Sequence, residues 1–180
     1  MPVPQGLIYA TAALLCAGLA TVSDFRERKI PNRLTGPALL AGLLLHLVLD
    51  GVHSLGASAL AALIAGGIFL LFYIAGGMGA GDVKLMAALA SLSTTGDVAK
   101  LLIATMIFGA VFALTLAIWR GALRRTMRNM FVLLAHHTQN GIAAHPELNV
   151  SNDTALRLPY AMPMAVAAAL VFLGHVGRLR

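Results

Sequence analysis

Gly77-Met-Gly-Ala-Gly-Asp-Val-Lys84 stands between two long apolar runs, and its reading decides what kind of molecule this is. Asp82 is the one acidic residue between the flanking runs, with Gly77, Gly79 and Gly81 just before it. A carboxylate held near hydrocarbon is costly, so a position of this kind points to function. Gly79 and Gly81 remove side chains where a backbone or a substrate strand would approach closely, and glycine also permits positive φ. The same residues equally describe a glycine-rich turn with Asp82 as a helix cap and Lys84 reaching for the headgroups. The stretch alone does not choose between the two.

The surrounding composition sets the environment. Hydrophobic residues make up 59% of the 180-residue chain and charged residues 11%. A soluble domain carries about 45–50% and about 25%. The mean hydropathy is +0.84, and the apolar residues come in unbroken runs rather than one-faced stripes. An all-α polytopic membrane protein follows, one membrane-embedded domain over residues 1–180 with about six spans. The net charge of +6 would suggest nucleic acid in a soluble protein. Here the basic residues cluster between spans with few aromatics among them, so nucleic-acid binding is excluded as a reading. Cys16 is the single cysteine, which leaves no intrachain disulfide and no Cys-x-x-Cys zinc site.

In chain order, residues 3–22 form the first span. Its charges follow the apolar run instead of preceding it, the reverse of a cleaved signal, so it is read as retained with the N-terminus outside. Ile30-Pro31-Asn32 breaks the helix before a short second span over 35–49, and Asp50-Gly51 marks a turn. His46 within that span is read as a packed or interfacial imidazole rather than a ligand. Residues 55–76 form a third span rich in small residues, and a fourth runs from about 82 to 93. Ser93 to Asp97 is a polar turn with Asp97 as turn or cap residue, and 98–119 is the fifth span. The long connection 120–158 opens with an amphipathic pattern. Leu123, Met127, Met130, Phe131 and Leu134 fall on one helical face with Arg124, Arg125 and Arg128 opposite, which suits a helix at the headgroups. A solvent-facing continuation of the fifth helix is the other reading. His136, His137 and His145 lack ligand spacing, so no metal is expected. The last span runs from about 159 to 177.

Six spans place residues 23–35, 77–84 and 120–158 on one side, and these hold ten of the thirteen Lys and Arg residues. That side is cytoplasmic by the positive-inside rule. Asp24, at the end of the first span, and Asp82, at the start of the fourth, therefore share one membrane face. Two carboxylates brought together cannot both ionise readily, so one keeps a proton while the other stays a base, the arrangement aspartic proteolysis needs. Topology gives the shared face without giving contact. The alternative, Asp24 paired with Arg26 or Arg28 and Asp82 capping its own helix, stays open on spacing alone.

Asp24-Phe-Arg-Glu-Arg-Lys-Ile-Pro-Asn32 resembles the first motif of the type IV prepilin peptidases, Asp-x-Arg-x-x-x-Ile-Pro-Asn. Gly79-Ala-Gly-Asp-Val-Lys84 resembles their second, Gly-x-Gly-Asp-x-Lys. The aspartates are 58 residues apart, in the family's order. Leu158-Pro-Tyr-Ala161 is similar to a Pro-Tyr element of the same family. The resemblance implies an aspartic endopeptidase without metal or organic cofactor. Its partners would be prepilins and pseudopilins, whose short basic leaders it would cut at the cytoplasmic face of a bacterial inner membrane. It implies Asp24 and Asp82 as catalytic, with Arg26, Pro31, Asn32 and Lys84 as supporting motif residues. The chain is similar to the short branch serving Flp, or tight-adherence, pili, which lacks the cysteine-bearing methyltransferase domain. Outside the resemblance, a small proton- or cation-coupled transporter and a structural subunit of a pilus or secretion machine are the competing classes.

Overall fold

The computed structural model describes residues 4–141 and 159–178, so His145 and the whole of the connection from 142 to 158 lie outside the described residues. Among the described residues there are six helices: α1 (Gln5–Glu27), α2 (Asn32–Ile74), α3 (Ala80–Ser91), α4 (Thr95–Trp119), α5 (Leu123–Asn140) and α6 (Ala161–Gly177). No strand occurs among the described residues. Three of the helices, α1, α2 and α4, are long and apolar enough to cross a membrane.

The expected second and third spans are the two arms of α2. Gly51, with φ of 84° and ψ of −177°, takes a conformation that side chains disfavour and turns the helix there, where Asp50-Gly51 signalled a turn. Asn32 meets Lys84 and Leu39 meets Ser91, so the first arm runs alongside α3 in the same direction. Ser58 meets Ser91 and Gly66 meets Ala87, so the second arm runs back the other way.

At 12 residues, α3 is about 18 Å long and ends inside the bundle, short of the hydrocarbon thickness of about 30 Å. Its last carbonyls must then find donors without water. Ser58 Oγ donates to Ser91 O at 2.9 Å and Ser93 Oγ to Leu89 O at 2.8 Å. The buried His46 ring reaches Ser93 O through Nε2 at 3.3 Å and Ser54 Oγ through Nδ1 at 2.7 Å. Tyr9 stacks flat on that ring at 4.1 Å between centroids and donates its hydroxyl to Asp50 at 2.5 Å. His46 is thus packed, as its isolation in sequence implied.

Asp97 needs a correction. It is not in the turn but in the first turn of α4, only 4% exposed, and it binds three partners. Thr94 Oγ1 lies at 2.5 Å, Lys100 Nζ at 2.7 Å and His175 Nε2 at 2.7 Å, the last tying α4 to the end of α6. A short helix that stops inside the bundle forces its following turn to stay internal, and Asp97 becomes an anchor.

α3 packs chiefly against the two arms of α2, while α6 packs between α1 and α4; the two groups of three touch each other more sparsely. Small residues bring α1 and α6 close, with Ala13, Ala17, Ala20, Ala161 and Ala168 all buried. Phe69, Leu85, Met86, Leu89, Leu101 and Met164 fill the shared core. Leu15, Leu19, Leu44, Leu63, Ile103 and Leu173 face outward, as lipid-facing residues do. The amphipathic start of the long connection forms α5, a helix of its own that Gly121, at φ of 62°, separates from α4.

Candidate functional site

α1 carries its helical conformation past the apolar run to Glu27, which puts Asp24 one turn from its end. The helix closes where Arg28, in the left-handed conformation at φ of 51°, returns its N–H to Asp24 O. The neighbouring Ser23 Oγ donates to Lys29 O at 3.0 Å and holds the departing chain. The Asp24 carboxylate takes the N–H of Ala161, the first residue of α6, while its Oδ2 is buried without a hydrogen-bond partner. Thr21 Oγ1 donates to Ala161 O at 3.1 Å and fixes the same helix end against α1.

Asp82 sits in the first turn of α3. Gly79 is the extended residue before that helix, at φ of −85°, and its N–H donates to Asp82 Oδ2 at 3.0 Å. Each carboxylate therefore faces a helix N-terminus, where exposed N–H groups favour negative charge. The two are also close enough for the charge of Asp24 to act on Asp82. On α3, which is not among the three helices long and apolar enough to cross a membrane, Asp82 is pushed up to about 6. Burial is the main cause, the Gly79 N–H pulls the other way, and the negative charge of Asp24 adds to the rise. The structure sets the two aspartates near enough for the charge of one to act on the other, where topology had given only a shared face. Up to a pH of about 6, one proton and one negative charge can be held between them.

The other motif residues arrange themselves around this pair. Lys84 Nζ donates to Asn32 Oδ1 at 2.8 Å, joining the end of the first motif to the end of the second. Pro31 stands in extended conformation immediately before α2. Arg26 is exposed on the last turn of α1. Around the two glycines, the neighbours come from the chain itself. A methyl on Gly81 would lie 3.1 Å from Ile30 Cβ, and one on Gly79 would lie 3.3 Å from Asp82 Oδ2.

Reading residues in order missed two contributors. The Ala161 N–H reaches Asp24 from 137 positions away, and no local pattern announces it. Tyr160, noticed only within the Pro-Tyr resemblance, stands just before α6, with the charge of Asp82 acting on it. Its ring meets Phe69 edge-on at 6.4 Å, and its hydroxyl fills the space beside Gly109, where a methyl would approach it to 2.7 Å. It bridges the two groups of helices beside the carboxylates.

No curated protein and no solved structure matches the chain. The type IV leader peptidase family does match, over residues 11–114. That range takes in Asp24, the connection after it, both arms of α2 and the whole of α3 with Asp82. With both motifs inside the matched region and their aspartates brought together in space, the chain belongs to the type IV leader peptidase family.

Proposed function

We propose that this protein is an aspartic endopeptidase that removes the leader peptides of Flp-type prepilins and pseudopilins at the cytoplasmic face of the bacterial inner membrane. The observation that carries this reading is the pairing of Asp24 with Asp82 at one end of the bundle. The Flp assignment rests on the resemblance to the short branch, and the sidedness rests on the basic connections at that end.

In the reaction, Asp24 is the ionised member and takes a proton from a water molecule. Asp82, which holds its proton to higher pH, donates a hydrogen bond to the scissile carbonyl oxygen. The water oxygen adds to the carbonyl carbon, the Asp82 proton passes to the carbonyl oxygen, and a tetrahedral diol forms. Collapse breaks the C–N bond, the leaving amine takes the proton from Asp24, and Asp82 recovers its proton from a diol hydroxyl as the carboxyl product forms. The Gly79 N–H holds Asp82 in place throughout, as the Ala161 N–H holds Asp24.

A transporter would need polar groups in line from one face to the other. Between the pair and the cluster at the far end, the described core is lined by Ala17, Ala20, Ala65, Leu85, Met86, Leu89 and Met164. The test is processing of a prepilin by purified protein in detergent. Asp24→Asn and Asp82→Asn should each abolish cleavage while leaving the protein folded. Substantial cleavage by either variant sinks the shared-proton mechanism.

A further inference from the structure

We propose that the connection 28–31, with Asn32 at the start of α2, is a spacer that sets how Asp82 approaches Asp24, with Ile30 and Asn32 as its positioning residues. The need for one follows from the packing. Asp24 belongs to the α1–α4–α6 group and Asp82 to the α2–α3 group, and direct contact between α1 and α3 is sparse. Helix packing alone therefore fixes the separation of the two carboxylates loosely.

The connection is fastened on both sides of the gap, each time beside an aspartate. On the α1 side, Ser23 next to Asp24 binds Lys29 O at 3.0 Å. On the α3 side, Ile30 occupies the space over Gly81, next to Asp82, and Asn32 holds Lys84, two residues beyond it. These two contacts bracket Asp82 in sequence. Gly81 is not among the residues with positive φ, so its backbone accepts a side chain and the lack of one leaves room for Ile30. A methyl there would meet Ile30 Cβ at 3.1 Å and its backbone N at 3.6 Å. Carbon atoms prefer separations of about 3.5–4.0 Å, so α3 and the spacer would be forced apart by about half an ångström. Catalytic groups tolerate displacements of about that size, and a shift of 1 Å can cost on the order of 100-fold in rate.

The cleavage arm of the test rests on the peptidase reading; the stability arm does not. Four proteins are compared: wild type, Gly81→Ala, Ile30→Gly, and the double variant Gly81→Ala/Ile30→Gly. Prepilin processing and Tm in detergent are measured on each. Gly81→Ala should lose between about 10- and 100-fold in processing and should melt lower. Adding Ile30→Gly removes the contacting side chain and should return a large part of both losses. The proposal is overturned if Gly81→Ala cleaves at the native rate. It is equally overturned if the double variant is no better than Gly81→Ala, which would give the space over Gly81 to a substrate strand. If wild type cleaves no prepilin, the substrate reading fails by itself. The Tm values then decide the spacer: recovery in the double variant supports it, and additive losses overturn it.

Discussion

Replacing Asp82 by Asn should make the protein more stable above neutral pH while ending its activity. The carboxyl rises from 3.8 to about 6 on folding, about two units, chiefly because burial disfavours its charge. At about 1.4 kcal/mol per unit, the folded state gives up about 3 kcal/mol once Asp82 is ionised. The raised value fixes the sign. The stability due to the neutral acid is fully present below 3.8 and is lost as pH climbs to about 6. Asn keeps an oxygen for the Gly79 N–H and cannot ionise, so Asp82→Asn escapes that loss. Thermal unfolding in detergent at intervals between pH 4.5 and pH 8 would show it. The Tm of the variant should exceed that of wild type by on the order of 5–10 °C at pH 8, with the gap closing towards pH 4.5. Asp24→Asn removes the negative charge that adds to the rise, so its curve should fall between those two. A gap independent of pH, or one that widens in acid, would refute the assignment of Asp82 as the buried, proton-holding member.

The far end of the molecule makes an opposite prediction. Asp97→Ala leaves His175 and Lys100 without their shared acceptor and should cost about 1–3 kcal/mol, read as a fall in Tm, with cleavage per folded molecule retained. At α5, each of Arg124, Arg125 and Arg128 should contribute about 1 kcal/mol of attraction to anionic headgroups. Cysteines placed singly at Leu123, Met127 and Phe131, in a background carrying Cys16→Ala, should react slowly with a water-soluble maleimide in anionic vesicles. Uniformly fast labelling would make α5 a solvated connector.

Much of this architecture can be read in the chain because lipid simplifies the code. Long apolar runs become helices, Asp50-Gly51 becomes a reversal, and the basic segments assign a face. Asp24 and Asp82 were legible as a pair because each follows or opens an apolar run at the same end. What resists reading is anything set by the depth and rotation of helices. The residues 82–93 look like another crossing, yet α3 stops at Ser91, and only the depth of that end explains why Asp97 is buried. His175 meets Asp97 across 78 residues, and hydropathy carries no trace of that contact. The role of Ile30 was equally hidden. In sequence it belongs to a helix break, and only the packing reveals that it fills the space over a glycine 51 positions later.

The abrupt end of α3 has a consequence for the cell's energy supply. A hydrolase that keeps an exchangeable proton near a coupling membrane risks becoming a leak. Proton hopping needs a continuous file of water or titratable groups. Here the far end of α3 is closed by serine hydroxyls bonded to backbone carbonyls and by the Tyr9–His46 stack, with His46 bonded to Ser54 and Ser93 and Tyr9 to Asp50. Beneath them Leu85, Met86 and Leu89 occupy the centre, each fully buried. Under the proposed function, water for peptide hydrolysis would then reach the pair from its own end of the bundle, and the transmembrane electrochemical gradient would be insulated from the chemistry there.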